Sequence, residues 1–278
     1  MLLFTWNLKN REAALKVALT YLERRARDDS VIACFQEVPP SDLRSPAKWR
    51  AAWAPLWERL RNELGLDRLR VVAGPVGAGR LVMVYSADLR PGHPRCDANE
   101  RMLFVRFRTA SGSEIVIVGY HAVDRLNYSV AEARGGYQAL ARRELDERVP
   151  SSLVPVVLLG DFNASPGMPE LGDRACLYVL GPRERHNSRA EKHFDRVSPP
   201  LYAVAPEGSE GTIFVEWGRR AWWETYDFVA VTHELRDRVT SRILPVIGGV
   251  SLLHPYKATP NKETYSDHLP VEAELQFT

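Results

Sequence analysis

An acid and an amide stand two residues apart at the end of an apolar run near the middle of the chain. The run covers residues 154–159, and Gly160, Asp161, Phe162 and Asn163 follow it. A short continuous apolar run is typical of a strand buried on both faces. Because side chains i and i+2 of a strand point the same way, this acid and amide would share one small volume suited to a water and a phosphate oxygen. The alternative interpretation is an Asx turn that only ends the strand.

Polar residues also end or interrupt other apolar segments. They are Asn7 after Leu2–Trp6, Gln36-Glu37 after Val31–Phe35, His121 after Glu114–Tyr120, Asp227 within Tyr226–Val229, and Asp267-His268 within Ser266–Val271. In α/β folds, groups at strand ends converge on one face of the sheet, so these side chains are predicted to meet. Carboxylates and imidazoles without a thiolate suit a hard cation such as Mg²⁺ or Mn²⁺. Phosphate-binding loops, dinucleotide fingerprints and nucleophile elbows are not found in the sequence, so nucleotide cofactors and acyl-enzyme chemistry have no support.

Helices and hairpins are predicted between these polar positions in the first half of the chain. Apolar residues at helical spacing predict a helix capped by Asn10 and a second one over Trp49–Leu64 that stops at Gly65. A capping box at Ser129–Glu132 opens a third helix. Paired strand patterns predict two antiparallel hairpins, Arg70–Ala73 with Leu81–Tyr85 and Met102–Arg108 with Glu114–Tyr120.

The second half of the chain has a weaker pattern. Residues 164–210 are rich in Pro, Gly and charge, which indicates surface loop with short elements. Strands are predicted at Thr212–Trp217, Tyr226–Thr232 and Ile243–Ile247. Residues 271–277 alternate apolar and polar side chains, which predicts a strand with one face in water.

Length, composition and charge limit the class of protein to which this chain can belong. The chain has 278 residues without repeats, low-complexity tracts or an evident linker, so residues 1–278 are predicted to form one domain. Apolar runs of eighteen residues and a signal-peptide pattern are both missing, which predicts a protein without a membrane segment. Three widely spaced cysteines give neither a disulfide framework nor a zinc pattern and favour a reducing, cytoplasmic location. A net charge of +2 neither supports nor excludes a nucleic-acid partner.

The motifs together resemble those of the endonuclease/exonuclease/phosphatase superfamily. The matching segments are Thr5-Trp6-Asn7, Gln36-Glu37, Gly119-Tyr120-His121, Gly160-Asp161-Phe162-Asn163, Tyr226-Asp227-Phe228 and Ser266-Asp267-His268. They occur in the family's order and span nearly the whole chain. The resemblance implies a four-layer α/β/β/α sandwich in which two mixed β-sheets pack face to face with helices outside. The predicted order of helices and strands is compatible with that fold.

The resemblance further implies a hydrolase that cleaves a phosphate ester by metal-assisted, in-line attack of water. Glu37 would be the main Mg²⁺ ligand, with Asn7 and Asp267 near it, and Mn²⁺ would be an alternative ion. The metal and the imidazoles would meet the charge that develops on the phosphate.

Five residues are implied as catalytic. Asp161 would orient and deprotonate the attacking water, and Asn163 would hold that water or a phosphate oxygen. His268 would contact the scissile phosphate, while Asp227 would fix the tautomer and orientation of its ring. His121 would act on the phosphate side of the reaction, either by stabilising the developing charge or by donating a proton.

Three functions stay open from the sequence. The first is a nuclease that cleaves phosphodiester bonds of nucleic acid, with DNA expected rather than RNA, and that resembles pancreatic-type deoxyribonucleases. His121-Ala122 and Arg125–Asn127 favour this class. The second is a phosphomonoesterase or a lipid or inositol phosphate phosphoesterase of the same fold, although the additions typical of inositol phosphatases are missing. The third is a binding module without catalysis, which the intact acids and both histidines argue against.

Two positions depart from the family's patterns. Abasic-site endonucleases commonly carry an acid two residues after the Asn of the first motif, and this chain has Lys9 there, which argues against such repair activity. Deoxyribonuclease-like members often support the first histidine with an acid on a middle strand. The matching stretch here, Gly79-Arg80-Leu81, has no acid, so the sequence leaves the support of His121 open.

Overall fold

The computed structural model describes residues 1–40, 45–73, 80–97, 101–122, 131–148, 154–166, 171, 179–180, 201–207, 211–217, 220–257 and 259–277. The helices in these ranges are α1 (Glu12–Arg25), α2 (Pro46–Leu64) and α3 (Ala131–Arg148), with a 3₁₀ helix at His233–Arg238. The strands are β1 (Leu2–Asn7), β2 (Val31–Gln36), β3 (Leu69–Ala73), β4 (Val82–Ser86), β5 (Arg90–Pro91), β6 (Arg95–Cys96), β7 (Met102–Arg108), β8 (Glu114–His121), β9 (Val156–Asp161), β10 (Val179–Leu180), β11 (Leu201–Val204), β12 (Pro206–Glu207), β13 (Ile213–Trp217), β14 (Arg220–Glu224), β15 (Asp227–Val231), β16 (Val239–Ile243), β17 (Val246–Ile247), β18 (Val250–Ser251) and β19 (Val271–Leu275).

Two large sheets organise the strands. The first has the order β12-β16-β19-β1-β2-β4-β3, and the second has the order β10-β11-β15-β9-β8-β7-β5 with β6 paired to β7. Both are mixed, because β1–β2 and β8–β9 are parallel whereas β1–β19, β9–β15 and β7–β8 are antiparallel. Two short hairpins, β13–β14 and β17–β18, lie outside these sheets. The predicted pair of mixed sheets is therefore confirmed.

Side-chain alternation shows how the layers stack. On β1, Phe4 contacts the ring of Tyr21 on α1, whereas Asn7 reaches across to Asp161 of the other sheet. On β9, residues 157 and 159 join the core shared with the first sheet, whereas residues 156 and 158 join a second core with α3. Because neighbouring side chains of a strand point to opposite faces, α1 lies outside one sheet and α3 outside the other. This is the predicted four-layer α/β/β/α sandwich.

Most local predictions are confirmed. The second helix ends where expected, with Gly65 as its C-cap at a φ of 64°, the left-handed conformation that glycine adopts at low cost. Both predicted hairpins form, as β3–β4 and β7–β8. The third helix is present from Ala131 onward, while Ser129 and Val130 of the predicted capping box, and Arg125–Asn127, lie outside the described residues.

Two predicted element boundaries need correction. Helix α1 begins at Glu12 with Arg11 at the N-cap, so Asn10 is not the cap. The strand expected at Ile243–Ile247 lies earlier, at Val239–Ile243, because Pro245 interrupts the later segment. Three further features were not foreseen from the sequence. Strand β11, in the region expected to be surface loop with short elements, belongs to the second sheet, and strand β14 was not predicted. Glu272, on the face of β19 that was expected to be in water, is fully buried.

None of the described helices is both long and apolar enough to cross a membrane.

Candidate active site

Strand register brings the predicted polar residues to one edge of the sandwich. In the parallel pair β1–β2, Asn7 lies opposite Gln36, so Glu37 follows directly beside it. In the second sheet, Asp161 is paired with His121 on one side and with Asp227 on the other. Parallel strands end at the same edge, and Asp227 begins its antiparallel strand there. The register therefore produces the predicted convergence.

Asp161 is the centre of this cluster. Its Oδ2 accepts a hydrogen bond from Asn7 Nδ2 at 2.9 Å and lies 3.9 Å from the Nε2 atoms of both His121 and His268. The side chain is 1% exposed. Burial, and then the neighbouring Asp227 carboxylate, raise the pKa of Asp161. A carboxylate with a raised pKa is a better proton acceptor than an ordinary surface acid.

His268 forms a buried pair with Asp227. The distance from His268 Nδ1 to Asp227 Oδ2 is 2.7 Å, and neither side chain is more than 2% exposed. Burial alone lowers the pKa of His268, but Asp227 and Asp161 outweigh it and raise that pKa to about 9. Because Nδ1 is engaged by the carboxylate, Nε2 is the ring atom that faces Asp161 and the interior of the site.

Backbone anchors fix the loop that carries His268. Ser266 Oγ donates to the carbonyl oxygen of Asn7 at 2.6 Å and accepts from the backbone N–H of His268 at 3.1 Å. Trp6 Nε1 donates to the carbonyl oxygen of His268 at 2.9 Å. Thr212 Oγ1 accepts the N–H of Asp227 at 3.0 Å. These bonds hold the His268 loop to β1 and hold the start of β15 in place beside it.

Glu37 lies in a more open part of the cluster, beside Asn7 and Lys9. Its Oε1 accepts hydrogen bonds from Asn7 Nδ2 at 3.1 Å and from Lys9 Nζ at 3.0 Å. Burial raises the pKa of Glu37, but Lys9, His121 and Asn7 outweigh burial and lower it to about 2. Glu37 has a φ of 46°, an uncommon conformation for a residue with a side chain. The carboxylate is therefore held ionised in an unusual backbone turn.

His121 faces both acids of the cluster. Its Nε2 lies 3.7 Å from Glu37 Oε1 and 3.9 Å from Asp161 Oδ2. Burial lowers the pKa of His121, against the raising effect of the two carboxylates. Its Nδ1 is buried and has no hydrogen-bond partner among the residues that the structure describes. The sequence left the support of His121 open, and the described residues supply no acid for that nitrogen.

Asn163 differs from the geometry expected for it. Strand β9 ends at Asp161, and Asn163 has a φ of 49° rather than an extended backbone. Its N–H donates to Asp161 Oδ1 at 2.9 Å, and its Nδ2 donates to the carbonyl oxygen of Ala122 at 3.1 Å. The Asx turn weighed as an alternative is therefore present, and it orients Asp161 within the cluster. Asn163 borders the site through that turn, and its amide nitrogen is already engaged.

Among the residues that the structure describes, one group of side chains has the spacing of a metal site, and a second group is the set predicted from the sequence. Ligand atoms of Asp161, Asp227 and His268 lie within 4.8 Å of one another, all buried. The second group is the predicted set of Glu37, Asn7 and Asp267, which offers only oxygen ligands. Asp267 Oδ1 is buried without a hydrogen-bond partner in the described part of the chain and lies 3.7 Å from His268 Nε2.

All eight predicted site residues thus lie in one connected network. Sequence reasoning did not find the anchoring roles of Thr212, Ser266 and Trp6, because nothing in a local pattern marks a hydroxyl or an indole that bonds a distant backbone. Lys9 was noticed as a departure from a family pattern, but its ion pair with Glu37 was not predicted. The signal in the sequence that could have indicated this ion pair was the position of Lys9, two residues after Asn7.

A groove leads away from the cluster at Asp267. Its walls include Phe214 of β13 and the side chains of His254, Lys257 and Lys262. Acidic residues are also present on its walls, so the groove is of mixed charge. It places the ring of Phe214 and the ammonium groups of Lys257 and Lys262 near Asp267.

Comparison with known protein families gives one match that covers residues 4–268 of the chain, to the Endonuclease/Exonuclease/phosphatase family. The match includes every predicted site residue and runs from β1 to the His268 loop. This chain belongs to the endonuclease/exonuclease/phosphatase family, whose members are phosphoesterase hydrolases. No curated protein matches the chain.

Solved structures with the same fold span the whole chain. An AP endonuclease from Archaeoglobus fulgidus is 14% identical with a TM-score of 0.59, and each chain is covered in full. The endonuclease domain of TRAS1, a telomere-specific non-LTR retrotransposon, is 13% identical with a TM-score of 0.54, covering 100% of this chain and 99% of its own. The human Nocturnin catalytic domain with bound sulfate is 16% identical with a TM-score of 0.57, covering 100% and 94%. At these identities the likeness shows the fold.

Proposed function

We propose that this protein is a Mg²⁺-dependent phosphodiesterase that hydrolyses phosphodiester bonds of nucleic acid, with DNA preferred to RNA. The observation that carries the proposal is the buried hydrogen bond between Asp227 and His268 Nδ1, which leaves the other ring nitrogen, Nε2, facing Asp161. An oriented imidazole beside a buried carboxylate of raised pKa can bind a phosphate and accept a proton from water in one small volume.

Glu37, Asp267 and Asn7 would hold the ion. Their oxygen donors suit a hard cation, and Asp267 Oδ1, which is buried and accepts no hydrogen bond from the described residues, is a ligand atom that an ion would satisfy. The Asp161–Asp227–His268 group fits less well, because an ion there would compete with the 2.7 Å bond between Asp227 and His268. When bound, Mg²⁺ supplies positive charge against a phosphate oxygen and the leaving group. Mn²⁺ has the same preference for oxygen and would be an alternative ion.

Asp161 would act as the general base. Its raised pKa keeps the carboxylate ready to take a proton from water, while the hydrogen bonds from Asn7 and from the N–H of Asn163 fix its orientation. Asn163 Oδ1 would accept a hydrogen bond from the attacking water, because its Nδ2, the group that could donate to a phosphate oxygen, is already engaged by the carbonyl oxygen of Ala122. A positioned base of this kind contributes about 10²–10⁴-fold to the rate.

The two histidines would bind the phosphate and stabilise its charge. A His268 pKa of about 9 makes the ring an imidazolium at neutral pH, so its Nε2–H can donate to a phosphate oxygen. Asp227 would hold that tautomer and ring orientation. His121 would also contact the phosphate, and its lowered pKa favours the neutral ring. Together they would stabilise the negative charge that grows in the transition state.

Two further observations support a nucleic-acid substrate. The groove beside Asp267 offers Phe214, to which a base could stack, and Lys257 and Lys262, which could meet backbone phosphates. Two of the solved structures that share the fold are described as endonucleases, one of them from a telomere-specific retrotransposon. A polymer extending from the scissile phosphate needs such a groove, whereas a small phosphomonoester does not.

The direct test is hydrolysis in Mg²⁺ of plasmid DNA, single-stranded DNA, RNA and a generic phosphomonoester, with and without a chelator. We expect nicking or degradation of DNA that the chelator removes. Asp161→Ala should lose about 10²–10⁴-fold in kcat with an unchanged circular dichroism spectrum. Exposed Asp237→Ala is the matched control and should keep full activity.

Other outcomes would point elsewhere. Release of inorganic phosphate alone would favour a phosphatase, and cleavage of lipid or inositol phosphates alone would favour the corresponding phosphoesterase. Measurable binding of nucleic acid without cleavage of any substrate would favour a binding module. Near-normal turnover by Asp161→Ala would refute the role of Asp161 as base.

A further inference from the structure

We propose that Lys9 is a built-in competitor of the divalent ion, so that a metal must displace its ammonium group from Glu37 before it can bind. This inference rests on the part of the proposed function that gives Glu37 and Asp267 to the metal. It does not depend on which phosphate ester is cleaved.

The contacts of Lys9 place a cation where the metal is expected. Its Nζ is 3.0 Å from Glu37 Oε1, the carboxylate that would be the main ligand. Asp267 and Asp161 are also close enough for their charges to act on the same ammonium. One ammonium therefore serves the same carboxylates that a divalent ion would need.

The local backbone aims Lys9 at the site. Lys9 has a φ of 45°, and its N–H donates to Asn7 Oδ1 at 3.1 Å, which closes a tight turn directly after β1. The next residue, Asn10, donates its N–H to the carbonyl oxygen of Glu37 at 2.8 Å. The turn begins at Asn7 and is bonded to Glu37, two residues that are expected to hold the metal. It thus directs the Lys9 side chain toward the expected metal position.

An ammonium and Mg²⁺ cannot share this position, because like charges at such a distance repel strongly in a partly buried site. The Lys9 side chain is 37% exposed and has a flexible four-carbon stem, so it can turn into solvent when an ion arrives. Two consequences follow. The Lys9 ammonium balances the charge of the ionised Glu37 carboxylate in the metal-free protein, and the apparent affinity for the ion is lowered by the free energy needed to separate Lys9 from Glu37.

Calorimetric titration with Mg²⁺ and with Mn²⁺, in the absence of any substrate, tests this directly. Lys9→Met removes the charge and keeps the length of the side chain. We expect its dissociation constant for either ion to be at least about tenfold lower than that of the natural protein, which is about 1.4 kcal/mol. Lys9→Arg keeps the charge and should bind the ions as weakly as the natural protein.

The matched control is Lys16→Met. Lys16 pairs with Glu12 and Glu63 on the surface of α1 and α2, so this variant removes the same charge away from the site and should leave metal affinity unchanged. Lys9→Met should also show a larger rise in melting temperature on addition of Mg²⁺ than the natural protein, because a tighter ligand stabilises the folded state more. If Lys9→Met does not fold, Lys9→Gln is measured in its place.

Unchanged or weaker metal binding by the neutral Lys9 variants would overturn the inference, as would equally tightened binding in Lys16→Met. Failure of the proposed function is recognised separately. A protein whose neutral Lys9 variants bind Mg²⁺ more tightly but which cleaves no nucleic acid would keep the competition and lose the nuclease assignment.

Discussion

The bond between Asp227 and His268 decides what the histidine can do. A buried imidazole without a partner would lose its proton, because burial disfavours the charged ring. The Asp227 carboxylate at 2.7 Å reverses that preference and also fixes which nitrogen faces the reaction volume. Asp227, on β15, therefore fixes the orientation of the His268 ring and, with Asp161, favours its charged form.

Replacing Asp227 with Asn should lower the pKa of His268 from about 9 toward its ordinary value of about 6.5, because the attraction to the carboxylate is lost while burial remains. The kcat at neutral pH should fall by about 10²–10⁴-fold. The pKa can be followed in the metal-free protein by NMR titration of the histidine ring carbons, and kcat by steady-state assay.

Asp237→Asn removes one acidic charge from the exposed 3₁₀ helix and serves as the control. A His268 pKa that stays near 9 in Asp227→Asn would show that the pair does not govern the ring.

At the scale of elements, the close approach of β8 and β9 brings His121 next to Asp161. Gly160, immediately before Asp161, has a φ of 153° and is paired with Tyr120. A Cβ built on Gly160 would lie 1.8 Å from the carbonyl oxygen of Tyr120, which belongs to the strand ladder and cannot move aside. The parallel pair therefore requires a glycine one residue before the central acid.

Gly160→Ala should accordingly lower the free energy of unfolding by about 3 kcal/mol or more, through backbone overlap added to an unfavourable φ. Gly112→Ala is the comparison, since Gly112 also has a positive φ, of 89°, but a Cβ there meets nothing within 4 Å. It should cost only about 1–2 kcal/mol. Urea unfolding followed by circular dichroism measures both, and equal losses would contradict the steric argument.

A second element-scale feature joins α1 to the first sheet through a buried acid. Glu272 on β19 accepts a hydrogen bond from the hydroxyl of Tyr21 on α1 and pairs with Arg242 of β16. Burial, and then the bond to Glu272, raise the pKa of Tyr21 to about 12. The protonated phenol is therefore favoured in the folded protein.

This shift has a definite sign in stability. Above pH 10 the tyrosine of the unfolded chain ionises, whereas folded Tyr21 keeps its proton until about pH 12. The contribution of Tyr21 is full below pH 10 and is lost as the pH rises from 10 to 12. We expect the stability difference between the natural protein and Tyr21→Phe to shrink over that interval in urea titrations at fixed pH. Tyr256→Phe, at a side chain that is 91% exposed, should behave as the natural protein throughout.

At the scale of the whole molecule, the site depends on both sheets at once. Asn7 lies on β1 of the first sheet and Glu37 directly follows β2, whereas His121, Asp161 and Asp227 lie on strands of the second sheet. One hydrophobic core contains residues of both sheets together with α1 and α2. Loss of packing between the sheets would therefore separate the two halves of the site.

That residues 1–278 form one domain stays a prediction, and unfolding tests it. We expect circular dichroism, tryptophan fluorescence and hydrolytic activity to be lost at one urea concentration, because the shared core couples the two sheets. Two separated transitions would contradict both the single domain and the dependence of the site on both sheets.

The sequence alone predicted which polar residues would meet and most of the long elements. Apolar runs that end in Asn, Glu, Asp and His marked the strand ends, and these ends meet because parallel strands share an edge. Spacing of apolar residues gave α2 and both hairpins, since periodicity reports which face of an element is buried. The order of the motifs then gave the family and, with it, the sandwich.

Only the tertiary structure decided which partner each polar group has. The bond from Asn7 to Asp161 joins residues 154 positions apart, and that from Ser266 to Asn7 joins residues 259 apart. Local spacing carries no information about such pairs. The same reason explains why Glu272 is buried despite its alternating pattern and why the Lys9–Glu37 ion pair was not foreseen: in each case a distant side chain, rather than the local pattern, satisfies the charge.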